Sequence, residues 1–198
     1  MRYEEIEVKF IVDDLPAMRQ RVLSTGAQLK TPRIYEENLR FDTPEQRLTR
    51  QGCLLRLRRD RRNRVTYKEP LAQRDPEFKV LHEYEVEVSD FEQTILLFEK
   101  LGFAPSQRFE KYRETFLYHG AEIVLDEVPF GTFMEIEGTR ETIRTIVMDL
   151  GLDFNARLTC SYNDIFEAVR STYRLSFQDI TFAAFQALNI DLHACHLT

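Results

Sequence analysis

The chain has 198 residues, enough for one domain with a sizeable core or a domain with an appendage. Apolar residues make up 43% and charged residues 30%, which excludes a disordered or membranous chain, and no apolar run approaches the roughly 20 residues a membrane-crossing helix needs. A formal net charge of −6 argues against a generic nucleic-acid binder, and the acidic start Met1-Arg2-Tyr3-Glu4-Glu5 argues against a signal peptide. A cytoplasmic protein without nucleic-acid or membrane partners is therefore expected. Cys53, Cys160 and Cys195 are too scattered to suggest a zinc site or a disulfide framework.

In chain order, Glu5-Ile6-Glu7-Val8-Lys9-Phe10-Ile11 alternates charged and apolar residues, the period of a strand with one charged face. Asp13 or Asp14 with Pro16 opens a helix that Gly26 closes. Strands are expected near Glu36 to Phe41, Cys53 to Arg59 and Arg64 to Lys68, with a hairpin turn around Arg61 to Asn63. The order then repeats. Glu83-Tyr84-Glu85-Val86-Glu87-Val88 alternates again, and Asp90 opens a helix that ends at Gly102. Strands near Arg108 to Tyr118, Ala121 to Asp126 and Thr132 to Glu137 are separated by His119-Gly120 and Pro129-Phe130-Gly131. Two β-α-β-β-β halves supply about eight strands, enough to close an antiparallel barrel. Helices follow near Glu141 to Leu150 and Asn163 to Arg170, the second opened by Ser161 and Asp164 as a capping box. From about Ser171 the chain reads as one further amphipathic helix carrying Phe177, Ile180, Ala184 and Leu188, then a tail. The expected class is α+β: an eight-stranded antiparallel barrel over residues 1–170, helices packed outside, and a helical C-terminal extension of the same domain over 171–198. That extension would pack on the barrel's outer face or form a homodimer contact, away from the charged strands.

Nearly every strand concentrates charge on one face: Glu5, Glu7 and Lys9; Arg56 and Arg58; Lys68; Glu83, Glu85 and Glu87; Lys111 and Arg113; Asp126; Glu135 and Glu137. Taken singly, such faces meet water. Two features point them into the lumen instead. The amphipathic helices need apolar surface to cover, which the outer wall of a polar-lumen barrel provides. Acids and bases also cluster on different strands, so a polyanion with metal ions would neutralise both. Arg and Lys give a triphosphate charge and directed hydrogen bonds, and glutamates two apart on a strand, about 7 Å at Cα, suit magnesium or manganese. No catalytic triad, Walker loop or dinucleotide fingerprint is present.

The segments Glu5-Ile6-Glu7-Val8-Lys9, Phe41-Asp42-Thr43-Pro44, Leu54-Leu55-Arg56-Leu57-Arg58, Thr66-Tyr67-Lys68, Glu83-Tyr84-Glu85, Lys111-Tyr112-Arg113, Leu125-Asp126-Glu127 and Gly131-Thr132-Phe133-Met134-Glu135-Ile136-Glu137 occur in an order that resembles the CYTH, or triphosphate tunnel metalloenzyme, superfamily. The resemblance covers about residues 3 to 167. It implies a triphosphate-binding tunnel working with Mg2+ or Mn2+. By position, Glu5, Glu7, Glu135 and Glu137 resemble the metal ligands, and Lys9, Arg56, Arg58, Lys68, Lys111 and Arg113 the phosphate-binding set. Asp126 and Glu85 resemble acidic partners that join Glu5, Glu7 and Lys9 in the catalytic group. The reactions implied are hydrolysis of inorganic or small organic triphosphates, cyclisation of ATP by a class IV adenylyl cyclase, or non-catalytic polyphosphate or nucleotide binding. Two departures stand out. Arg40 stands where family members often carry an aromatic residue. Many members carry a lysine shortly before a late Ser-Tyr pair; here Cys160 precedes Ser161-Tyr162, so that Arg157 would have to substitute, if anything does.

Overall fold

The computed structural model describes residues 3–73 and 75–197, so Met1 and Arg2 lie outside the described residues. Eight strands, β1 (Tyr3–Ile11), β2 (Gln28–Asp42), β3 (Leu54–Arg59), β4 (Asn63–Pro70), β5 (Lys79–Val88), β6 (Ala104–Tyr118), β7 (Ala121–Val128) and β8 (Gly131–Glu137), close a barrel in the order β1-β5-β4-β3-β2-β6-β7-β8. Every neighbouring pair is antiparallel. Each half carries its helix where the sequence places it. Helix α1 (Leu15–Ser24) is capped by the Asp14 carboxylate and α3 (Phe91–Lys100) by that of Asp90. The two equivalent helix-ending glycines, Gly26 and Gly102, take φ near +90°, a left-handed backbone that glycine adopts at no steric cost.

Alternation turns the charged faces inward and the apolar faces out, where helices cover them. Val8, Phe10, Ile123, Leu125, Met134 and Ile136 pack beneath α1 and α4 (Arg140–Asp149), with Val22, Ile143, Ile146 and Val147 in the same layer. Leu39, Phe41, Leu55 and Leu57 pack beneath α3 through Phe91 and Phe98. A third core caps one end of the barrel: α5 (Tyr162–Tyr173), opened by the Ser161 and Asp164 capping box, sets Ile165, Phe166 and Val169 against Phe130 and Phe133.

Four local differences from the sequence reading have clear causes. β2 and β6 each run 15 residues, well beyond the expected spans. The early part of β2 carries Pro32 and two register shifts, between Leu29, Thr31 and Ile34, and so lacks clean alternation. A one-turn helix, α2 (Arg47–Arg50), follows β2 and is built on Asp42, which accepts bonds from the Thr43, Leu48 and Thr49 amides at 2.7–2.9 Å. The Phe-Asp-Thr segment is thus a turn support. Finally, the extension is helical only in part. α5 continues to Tyr173 and Arg174 ends it in the left-handed region; α6 (Phe182–Phe185) and a 3-10 turn at Leu192–Ala194 follow. The spacing of Phe177, Ile180 and Ala184 spans extended chain as well as helix. Ile180 donates to the Arg108 carbonyl and accepts from the Glu110 amide, both at 2.8 Å, pairing with the stretch of β6 that β7 leaves free.

Ile180 therefore closes the wall as well as filling the third core, where it is 1% exposed. Ile180→Ala is expected to destabilise the protein by about 2–5 kcal/mol, the range for truncating a buried isoleucine. Urea unfolding would measure it, and a loss below about 1 kcal/mol would contradict this packing.

Candidate functional site

The barrel encloses a cavity of about 910 Å³ lined by Glu5, Glu7, Lys9, Arg56, Arg58, Lys68, Glu85, Lys111, Arg113, Glu135 and Glu137. These are the candidate residues of the sequence analysis apart from Asp126, which lies behind the lining with no solvent exposure. Strand register sets their order. Glu7 pairs with Glu137 and Lys9 with Glu135 across β1 and β8; Arg113 pairs with Asp126 across β6 and β7.

Most of these charges neutralise one another. Lys9 bonds Glu135, and its ammonium lies 4.3 Å from the Tyr162 ring centroid. Lys68 meets Glu5 at 2.6 Å and Glu83 at 2.5 Å. Asp126 gathers Lys111 at 3.1 Å, Arg113 at 2.7 Å and the Tyr162 hydroxyl at 2.7 Å. Arg113 also reaches Glu135. Glu85 takes Arg58 at 3.0 Å and the Thr66 hydroxyl at 2.9 Å, so it steadies the arginine strands and stands apart from the other acidic candidates. Burial would raise the Glu7 carboxyl, but Lys79 and Lys9 outweigh it and hold it at about 2. Glu36, buried against Lys111, Arg113, Arg58 and Arg56, is likewise held at about 2.

The pairing fails in two places. Glu137 makes no ion pair among the described residues, and burial together with Glu5 and Glu7 pushes its carboxyl up to about 8. Opposite, among the described residues, the buried Nε atoms of Arg56, Arg58 and Arg64 have no acceptor, although Arg58 and Arg64 meet Glu85 and Asp60 through their terminal nitrogens. Arg56, lowered to about 10 by burial and by Arg58, has among the described residues only the Thr66 hydroxyl at 3.2 Å. One part of the lumen is short of a cation, and in another Arg56 is without an anion while its neighbours keep free donors.

The donor chemistry fits a hard divalent cation at Glu5, Glu7 and Glu137, since oxygen ligands and uncompensated negative charge are what such an ion needs. Among the described residues, no three His, Cys, Asp or Glu side chains converge closely enough to hold one as they stand. Glu5 and Glu7 are turned onto Lys68 and Lys79, which a cation would displace. Glu135 is committed to Lys9 and Arg113.

Several lining residues escaped the sequence reading. Lys79, 2.7 Å from Glu7, sits two steps before the run of Glu83, Glu85 and Glu87, with Leu81 breaking the charge alternation. Glu36 and Asn38 continue the period of Arg40, but in a stretch without apolar alternation. Tyr162 enters the sequence reading only as the neighbour of Ser161 in the Ser-Tyr pair, without a role in the lumen. Arg157 does not take the place of the missing lysine: its Nε donates to the Glu77 carbonyl at 2.6 Å, and its guanidinium stacks 4.2 Å from the Phe154 ring, outside the cavity. Cys160 instead lies beside Lys79 along a second cavity.

Comparison with known proteins adds the following. A model of the CYTH domain matches residues 4–147. A Methanocaldococcus jannaschii protein provisionally named an adenylate cyclase is 29% identical over 135 residues, 67% of this chain and 75% of that protein. The Pyrococcus horikoshii protein PH1012 superposes with a TM-score of 0.67 at 29% identity, covering 80% of this chain and 96% of the other. A Vibrio parahaemolyticus structure provisionally named an adenylate cyclase reaches 0.74 at 23% identity over 85% and 100% of the two chains. A Hippeastrum protein, named in the same way and described by a dominant triphosphatase activity, reaches 0.56 at 21% identity over 84% and 95%.

The unpaired Glu137 has a pH signature. Its folded-state pKa is raised above the ordinary carboxylate value near 4.5, so its contribution to stability is complete below that value and is lost as pH rises through about 8. The metal-free protein should melt at progressively lower temperature as pH rises from about 4.5 to about 8, with the slope levelling off above that. Glu137→Gln, which mimics the protonated acid, should flatten that slope; an unchanged slope would show that Glu137 is not the responsible group.

Proposed function

We propose, from the premise that this chain belongs to the CYTH domain family, that it hydrolyses a triphosphate held inside the barrel, with Mg2+ or Mn2+ as cofactor. The supporting observation is the matched deficit in the lumen. Buried arginine nitrogens lack acceptors on β3 and β4, while a carboxylate lacks a cation on β8. A triphosphate chain supplies the acceptors, and a divalent cation supplies the charge. Inorganic triphosphate or a small organic triphosphate fits an opening lined by Arg and Lys on several strands.

In this reading the residues divide the work. Arg56 and Arg58 take phosphoryl oxygens with the donors now unpaired. Lys9, Lys68, Lys111 and Arg113 exchange part of their carboxylate pairing for phosphate oxygens. Asp126 and the Tyr162 hydroxyl hold Lys111 and Arg113 in place; Tyr162 stays protonated because burial and Asp126 hold its pKa well above the ordinary range. Glu85 fixes the Arg58 guanidinium plane. Glu5, Glu7 and Glu137 would hold the cation, with Glu135 orienting Lys9 from behind. The cation, when bound, would neutralise phosphate charge and favour attack by water in line with the leaving oxygen.

The provisional cyclase name of the archaeal relative supports a second reading, cyclisation of ATP, which uses the same bound phosphates. The triphosphatase activity ascribed to the Hippeastrum protein supports the first. Incubation with inorganic triphosphate, thiamine triphosphate and ATP separates them. The expected result is phosphate release that depends on Mg2+ or Mn2+ and stops with a chelator. Cyclic AMP and pyrophosphate as the only products would replace the hydrolase with the cyclase. Absence of both turnover and binding would reject the tunnel reading.

Arg58→Ala should weaken triphosphate binding by about 1.5–3 kcal/mol, the range for hydrogen bonds to charged groups. Calorimetric titration would measure this, and an unchanged dissociation constant would remove Arg58 from the phosphate-binding set.

A further inference from the structure

Among the described residues, twelve basic side chains line the cavity, and nine of them have a carboxylate partner within 4.0 Å. Among the described residues, the exceptions are Arg40, Arg56 and Arg61. Arg61 is exposed on the β3–β4 hairpin at the other end of the barrel. Arg40 and Arg56 are half-buried and directly opposite one another across β2 and β3. Among the described residues, the Arg40 guanidinium has a single polar partner, the Gln107 side-chain oxygen at 3.1 Å, which leaves most of its five donors free.

Their position gives this pair a meaning. Arg40 lies four residues along β2 from Glu36, which faces Lys111, a span of about 13 Å at the rise of a strand. It is therefore beyond the reach of the Lys111 and Arg113 group, toward the end capped by α5. Asn163, Asp164 and Gln107 line the same region. Burial depresses Arg40, with Asp164, Asp42 and Glu167 acting against it, yet none of these acids makes an ion pair with it. Arg40 leans to Gln107 on β6 and Arg56 to Thr66 on β4, so two guanidinium groups on adjacent strands are each held without a carboxylate, and each is costly to desolvate. An anionic group between them would remove both costs. A neutral ring in the same place would leave them unpaired.

We infer that Arg40, together with Arg56, is a specificity-determining residue that receives the phosphoryl group at the capped end of the tunnel and so distinguishes a chain of three phosphoryl groups from a chain of two. This rests on the triphosphate reading above and extends it. Any organic part of the substrate then points to the open end, because the capped end is occupied by phosphate.

The test is calorimetric titration of the metal-free protein, which avoids turnover, with inorganic triphosphate and with pyrophosphate. Arg40→Gln should weaken triphosphate binding about tenfold or more, as expected for loss of a charge-assisted contact, and change pyrophosphate binding less than about twofold. Arg40→Lys, which keeps the charge but not the planar fork, should fall between. If Arg40→Gln melts too low for titration, Arg40→Lys carries the same comparison. Equal weakening of both ligands, or of neither, would overturn the role of Arg40 while leaving triphosphate binding by the parent protein standing. Failure of the parent protein to bind triphosphate would overturn the tunnel reading itself.

Discussion

A closed barrel filled with charge must neutralise that charge locally, and the rest of this structure follows from that requirement. Moving a charge away from water costs several kcal/mol unless a partner and hydrogen bonds replace the solvent. Here the partners come from neighbouring strands: Lys9 with Glu135, Lys79 with Glu7, and Arg113 with Asp126. Because the pleat alternates, a charged lumen forces an apolar outer wall. Three helical coverings then become necessary: α1 and α4 over one side, α3 over another, and α5 with the extension over one end. The usual arrangement of a small barrel, apolar within and polar without, is inverted.

Where neutralisation is complete, the lumen is a scaffold. Asp126 shows this, with two basic partners and the Tyr162 hydroxyl and no exposure. Where it is incomplete, unpaired groups of both signs remain. Glu137 is held near pKa 8 by burial and two neighbouring acids, and the arginines of β3 and β4 retain buried nitrogens without acceptors. These two deficits have opposite sign and lie in one cavity, so a ligand that brings both a polyanion and a cation relieves both.

The fold was legible because its two halves announce themselves in the same terms. The alternation of Glu5 to Ile11 and of Glu83 to Val88, the capping aspartates Asp14 and Asp90, and the ending glycines Gly26 and Gly102 are local signals, and local structure obeys them. What stayed hidden depends on partners remote in sequence. The first part of β2 is a strand because β6 pairs with it. Ile180 takes extended backbone because β6 has a free edge there. The charged lining was readable as a set, from one-sided faces. Its pairing was not, because only register tells that Glu85 serves the arginines while Glu5 and Glu7 lie near enough to Glu137 to raise its pKa. Lys79 and Glu36 carry decisive charges on strands whose pattern is interrupted, by Leu81 in one case and by an irregular edge in the other.

The most direct measurement is a crystal structure with a non-hydrolysable triphosphate and manganese, with the metal located by anomalous scattering. The expected result is a manganese peak inside the barrel, coordinated by Glu5, Glu7 and Glu137, with the phosphate chain extending past Arg56 and Arg58 toward Arg40. A metal bound instead at Asp126 or Glu85, or a triphosphate bound on the outer wall with the lumen pairs intact, would contradict it.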